Sequence, residues 1–188
     1  MKYHSVSWKQ LHDLTYLLAK KIQGENRKHD LIVGIARGGL TISHIASDFL
    51  KLPVASFTIS SYKDLKRQEL SDISYHVGGS LKNMNILLID DISDTGKTFI
   101  RGVKYLKELG ATHITTAAPF IRQGSDYEPN FYVKEMIDEW VVFPYDIRET
   151  VEAIQTNLSK SGKTINDISK QLSQIKIPKR YVARYLKI

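Results

Sequence analysis

Asp90, Asp91 and Asp94 stand close together in the stretch ILLIDDISDTGKT (86–98), and Thr95-Gly96-Lys97-Thr98 follows at once. Paired carboxylates accept hydrogen bonds from hydroxyls or hold a divalent cation such as Mg²⁺ through oxygen ligands. A Thr-Gly-Lys-Thr run that opens a helix does the opposite job. Its free backbone N–H groups and the positive end of the helix dipole attract a phosphate, and the Thr95 and Thr98 hydroxyls add donors. The run invites comparison with the phosphate loop G-x-x-x-x-G-K-[ST]. Asp91, however, stands five residues before Gly96 where that loop needs glycine. Two carboxylates would then lie where a polyphosphate must go, which excludes the nucleoside-triphosphate reading. A ligand with a monophosphate at one end and a neutral diol in the middle fits better. Asp90 and Asp91 would grip the diol, directly or through Mg²⁺, while 95–98 hold the phosphate.

A second constellation, VGIARGGL, occupies 33–40. Arg37 supplies a cation suited to phosphate oxygens, and the glycines let the backbone approach them closely. On its own this is also how a tight turn with a surface arginine reads.

The elements that must position these residues follow from periodicity. Ser7 with Gln10 forms a capping-box signature, and Trp8, Leu11, Leu14, Leu18 and Ile22 recur at helical spacing, predicting a helix over 8–22. Residues 31–36 form a continuous apolar run that ends at Arg37-Gly38-Gly39, as a buried parallel strand would. Residues 40–50 read as helix, 54–60 and 85–89 as strands, and 113–121 as a further strand. Phe99, Val103, Leu106 and Leu109 lie on one face of a helix that stops at Gly110. Residues 131–136 and 140–146 read as a final β pair, and the polar stretch 61–80 as a long functional loop. Alternating strands and helices imply an α/β fold: a parallel twisted sheet flanked by helices. Ligands bind such sheets at the carboxyl ends of the strands, where both glycine-bearing turns fall.

Composition narrows the class. The 188 residues include no cysteine, so disulfides, thiolate catalysis and Cys-based zinc sites are excluded. Six histidines are scattered without metal-ligand spacing. No apolar run approaches the roughly 18 residues that span a bilayer, and the N-terminal residues lack a signal segment, so the expectation is a cytoplasmic protein without membrane contact. Of the formal charge of +7, residues 151–188 carry +6, and the preceding residues are nearly neutral.

ILLIDDISDTGKT resembles the phosphoribosyl-diphosphate signature of the type I phosphoribosyltransferases, and VGIARGGL resembles their pyrophosphate loop. VSWKQLH (6–12), SSYKDLKRQEL (60–70) and DEWVVFPYD (138–146) are similar to the subgroup acting on xanthine, guanine and hypoxanthine. The resemblance covers 1–146 and implies that fold with a small β hood. It implies transfer of a 5-phosphoribosyl group from 5-phosphoribosyl 1-diphosphate to a 6-oxopurine, with Mg²⁺, in purine salvage, by a homo-oligomer (dimer or tetramer). Carried over by residue, Ala36, Arg37 and Gly38 would bind the diphosphate, after a peptide that is often cis in the family. Asp90 and Asp91 would hold the ribose and the metal. Ser93 and Asp94 would join the phosphoribosyl-diphosphate site, and Thr95, Gly96, Lys97 and Thr98 would hold the 5′-phosphate. Asp94 would also face N7 of the purine as the catalytic carboxylate, or cap the helix that follows. Trp140 would stack on the base and Val141 read its 2-position, unless Trp140 is a plain core residue. Ser61 and Tyr62 would belong to a lid. The family's base-reading lysine is missing, and Arg122 falls nearest its place. Which purine is preferred is not legible in these residues.

The resemblance stops short of the tail, so the domain reading is 1–150 as the phosphoribosyltransferase domain and 151–188 as a basic, helical extension. Thr164 or Asn166 starts one helix and Pro178 another. The basic face fits solvent, a neighbouring subunit or nucleic acid. The rival reading is therefore a phosphoribosyltransferase-like regulator that binds nucleic acid through this tail. The retained acids, Arg37 and the Thr-Gly-Lys-Thr start favour the enzyme.

Overall fold

The computed structural model describes residues 2–25, 27–60 and 72–186. Two compact units emerge: Met1–Leu11 with Asp138–Ile188, and His12–Ile137. Compactness therefore groups 138–150 with the tail.

In the larger unit the apolar runs become strands for the reason their composition gives. β2 (Leu31–Ala36) and β5 (Asn85–Ile89) are buried almost throughout, as central parallel strands covered on both faces must be. They pair in parallel, Gly34 opposite Ile89, so their carboxyl ends finish side by side. β3 (Val54–Ser60) flanks β2, and β4 (Asp72–Tyr75) closes that edge as an antiparallel strand. β7 (His113–Arg122) lies on the other side of β5, with β8 (Phe131–Met136) parallel beyond it. The short β6 (Ile92–Ser93) pairs with the far end of β7 on the edge that β5 used. Asp90 and Asp91 thus occupy the gap between two strands that share one neighbour.

Helices cover this sheet. α1 (Trp8–Gln23) begins with the expected capping box: Gln10 N–H donates to Ser7 Oγ at 3.2 Å and Ser7 N–H to Gln10 Oε1 at 2.8 Å. α2 (Gly38–Leu50) buries Gly39, Ile42, Ser43 and Ala46, one helical stripe. α3 (Lys97–Glu108) buries Phe99 and Leu106 in a core with Ile35, Phe57 and Leu88. Each fully buried side chain of that kind contributes about 1.5–3 kcal/mol, so both site turns are anchored by the packing behind them.

In the smaller unit β1 (Lys2–Ser5) pairs in parallel with β9 (Glu139–Val142), Tyr3 opposite Trp140 and His4 opposite Val141. α4 (Ile147–Lys160), α5 (Ile165–Gln174) and α6 (Lys179–Tyr185) bury Val151, Ile154, Ile168, Leu172 and Val182 together. Thr164 caps α5 in a reciprocal box with Asp167.

The final β pair expected over 131–136 and 140–146 does not form. Each strand takes a parallel partner from elsewhere, β8 with β7 and β9 with β1, because alternation marks a strand without naming its neighbour. Part of the expected 61–80 loop is β4, and 61–71 lie outside the described residues.

Candidate functional site

Two turns build the site. The β2–α2 turn places Arg37, exposed, between Ala36 and Gly38, and the Ala36–Arg37 peptide is cis. Gly38 and Gly39 press against the β5 turn. A Cβ on Gly38 would lie 2.0 Å from Asp91 Oδ2, and one on Gly39 would lie 2.3 Å from the Ile89 carbonyl oxygen. At Gly39 only hydrogen fits against this backbone, whereas at Gly38 a larger residue would have to displace the Asp91 carboxylate. The candidate diphosphate turn and the acid pair are thereby in direct contact.

Asp90 is buried, and its N–H donates to the Ala117 carbonyl at 3.2 Å. Its Oδ1 accepts from Asp91 N–H at 2.9 Å, and Gly39 N–H also donates to it. Burial, and then the neighbouring Asp91 charge, push its pKa well above the ordinary carboxylate range. Asp91 is less enclosed.

The third part is the approach to α3. Gly96 takes the left-handed conformation, φ 83°, which a side chain would resist. The N-cap of α3, Gly96, makes no side-chain hydrogen bond to the first-turn N–H groups, which a phosphate could therefore satisfy. The helix starts at Lys97, two residues later than Thr95. Asp94 is therefore not its N-cap; it is paired with the Arg122 guanidinium, whose Nε donates to Asp94 Oδ1. Ser93, buried, donates its hydroxyl to the Tyr127 carbonyl at 2.7 Å.

The segment 125–127 was not singled out in the sequence, yet it braces this turn. Asp126 N–H donates to the Thr95 carbonyl at 3.2 Å, and the Tyr127 ring stacks on Phe99 with centroids 5.5 Å apart. A Cβ on Gly96 would meet Tyr127 N at 2.4 Å. The only signal was a Gly-Ser-Asp turn after a strand.

A model of the phosphoribosyl transferase domain matches residues 7–150. The chain belongs to the phosphoribosyl transferase family. A xanthine-guanine phosphoribosyltransferase of Idiomarina loihiensis is 29% identical over 145 residues, covering 76% of this chain and 86% of that protein. A purine phosphoribosyltransferase of Pyrococcus horikoshii matches with TM-score 0.70 and 32% identity, covering 77% of this chain and 95% of that one. The xanthine-guanine-hypoxanthine phosphoribosyltransferase of Helicobacter pylori shares the fold at TM-score 0.69 and 22% identity, over 79% and 96% of the two chains. Homologues of this phosphoribosyltransferase are thus purine transferases, as the sequence resemblance implied.

Within the larger unit the structure brings together Ala36, Arg37, Gly38, Asp90, Asp91, Ser93, Asp94, Thr95, Gly96, Lys97, Thr98 and Arg122. Trp140 and Val141 belong to the smaller unit, on β9: Trp140 is 46% exposed, which removes the plain core reading, and Val141 is buried. Ser61 and Tyr62 lie outside the described residues. Among the described residues there is no group of three or more His, Cys, Asp or Glu able to hold a metal, and no helix long and apolar enough to cross a membrane.

Proposed function

We propose that this phosphoribosyltransferase transfers a 5-phosphoribosyl group from 5-phosphoribosyl 1-diphosphate to a 6-oxopurine, giving a purine 5′-monophosphate and diphosphate in salvage. The observation that carries the reading is the contact of Gly38 with Asp91. It sets an anion-binding turn against a diol-binding acid pair, with the open end of α3 completing a three-part cradle for diphosphate, ribose and 5′-phosphate. The name and 32% identity of the Pyrococcus relative support the purine as acceptor.

The acid pair also fits Mg²⁺. Mg²⁺ is held by one or two carboxylates with water and substrate oxygens, not by an all-protein cage, and Asp90 and Asp91 supply two. Burial first and the Asp91 charge second raise the Asp90 pKa, and a cation or diol donors beside the pair would offset both. Bound there with the sugar diphosphate, Mg²⁺ would supply charge neutralisation for the leaving group.

The chain's own residues do the rest. Arg37 and the amides around Gly38 take up charge on the departing diphosphate. Asp90 and Asp91 fix the ribose, and the amides of Lys97 and Thr98 with the Thr95 and Thr98 hydroxyls fix the 5′-phosphate. Asp94 accepts the N7 proton, or stabilises its charge, as N9 attacks C1′. Arg122 donates to the 6-oxo oxygen. This donor–acceptor pair matches the edge of a 6-oxopurine, whose carbonyl accepts and whose N7–H donates. Adenine presents an amino donor where Arg122 needs an acceptor, so the pair disfavours it. Trp140 and Val141, on β9 of the smaller unit, are the residues we assign to stacking on the base and meeting its 2-position.

Diphosphate release with Mg²⁺, the activated sugar and a base panel tests this. Release with hypoxanthine, guanine or xanthine and little with adenine or pyrimidines is expected. Release with none of them removes the proposal.

A further inference from the structure

The segment joining β7 to β8 packs, backbone against backbone, on the Thr95-Gly96 peptide. Ser125 N–H donates to the Arg122 carbonyl at 3.1 Å, and Gly124 between them takes φ 82°, so 122–125 form a tight turn that starts at Arg122 itself. The residues after it run along 93–99 before the chain enters β8. Asp126 N–H donates to the Thr95 carbonyl at 3.2 Å, and a Cβ on Gly96 would lie 2.4 Å from Tyr127 N. The Tyr127 carbonyl accepts from the Ser93 hydroxyl at 2.7 Å and from the Ser125 hydroxyl at 3.2 Å. Ser93 is 1% exposed, so breaking its bond would leave a buried polar group unsatisfied.

The Thr95–Gly96 peptide is planar, so a carbonyl held by Asp126 also fixes the direction of the Gly96 N–H at the helix start. The side chain of Tyr127 acts one turn further on. Its ring stacks on Phe99, with centroids 5.5 Å and planes 13° apart, and Phe99 is the fully buried third residue of α3. Its hydroxyl lies 3.4 Å from Thr116 Oγ1 on β7, and the Asn130 side-chain carbonyl holds both the N–H and the hydroxyl of that threonine. Tyr127 thus ties together the peptide before α3, the first turn of α3 and the interior of the sheet. A ring that only filled the core would fix none of the backbone at 95–96.

We infer that Tyr127 is a positioning residue for the 95–98 turn, setting the helix-start amides for the sugar's 5′-phosphate before the substrate arrives. The inference rests on the reading of 95–98 as the phosphate site and deepens it by naming what holds that site in shape. Donors fixed in advance need no rearrangement when the phosphate binds. The segment also begins at Arg122, so the residue assigned to the base and the turn assigned to the phosphate are joined by one short run of chain.

Calorimetric titration of the full-length chain with ribose 5-phosphate, and separately with inorganic diphosphate plus Mg²⁺, reads the two ends of the cradle. Tyr127→Ala should weaken ribose 5-phosphate about 10–100-fold, the scale of a misplaced binding group, and change inorganic diphosphate less than about twofold. Tyr127→Phe keeps the ring and the backbone contacts, and should bind ribose 5-phosphate as the parent does. If Tyr127→Ala does not fold, Tyr127→Leu, which fills the space without a flat ring, should show the same selective loss. Equal affinity of the parent and the folded variant for ribose 5-phosphate overturns the inference, as does an equal loss for both ligands. A parent chain that binds inorganic diphosphate and no ribose 5-phosphate removes the phosphate reading of 95–98, and the inference with it.

Discussion

Arg122 donates from Nε to Oδ1 of Asp94, and the two meet because Ser93 and Ile121, the residues before them, are register partners on β6 and β7. Both side chains are partly exposed. An ion pair in such a setting is worth at most about 1 kcal/mol, so it opens cheaply when a base offers both groups better partners.

On the proposed reading, Arg122→Ala removes the donor to the 6-oxo oxygen. A hydrogen bond to a charged group is worth about 1.5–3 kcal/mol, so kcat/KM for hypoxanthine should fall about 10–100-fold. Affinity for the activated sugar should hold. Steady-state kinetics with both substrates varied checks this, and Arg122→Lys should recover part of the loss.

Asp94→Asn retains shape and loses the carboxylate proposed to accept the N7 proton. Turnover should drop about 10²–10⁴-fold, the range of a general base, with little change in either KM. Combined with Arg122→Ala, the two losses should not add, since the two side chains are in direct contact and the proposal sets both on one edge of one base.

Asp90→Asn separates stability from function. Burial raises the Asp90 pKa in the folded chain above its unfolded value, so the folded chain holds more proton between those two values. Its contribution is therefore favourable at acid pH, falls as pH rises through that window, and stays unfavourable above it. Asn lacks the charge and still accepts from Asp91 N–H. The ligand-free variant should melt higher at neutral pH, about 2–4 °C for each kcal/mol gained, with the gain disappearing towards acid pH. Scanning calorimetry across pH reads both.

Gly38→Ala and Gly39→Ala should fail differently. The added methyl at 38 meets the Asp91 carboxylate, a side chain that can swing away, so the chain should fold and lose affinity for the activated sugar. At 39 it meets the Ile89 carbonyl, which β5 holds in place, so about 1–3 kcal/mol of stability should be lost as well. Thermal melts beside sugar titrations distinguish the two.

Much of this was legible before any coordinates. The β2 and β5 runs announced buried parallel strands, and acids and glycines directly after them had to sit at the carboxyl edge of the sheet. Register was not legible. Nothing in Asp94 or Arg122 says they touch, because that follows from the two-residue β6 lying along the far end of β7. β1, the short polar segment KYHS, has no apolar alternation to mark it, so β9 was matched with β8 instead. The bracing by Tyr127 was hidden for the same reason: its contacts are with residues about thirty positions away.

The central claim is that Asp90 and Asp91 hold the ribose of the activated sugar while the uncapped start of α3 holds its phosphate. Calorimetric titration of 5-phosphoribosyl 1-diphosphate with Mg²⁺ into the parent chain and into Asp90→Asn/Asp91→Asn tests it most directly. The account predicts saturable binding to the parent chain and at least about a hundredfold loss in the variant, with its circular dichroism unchanged. Equal affinity for the two folded chains would contradict it.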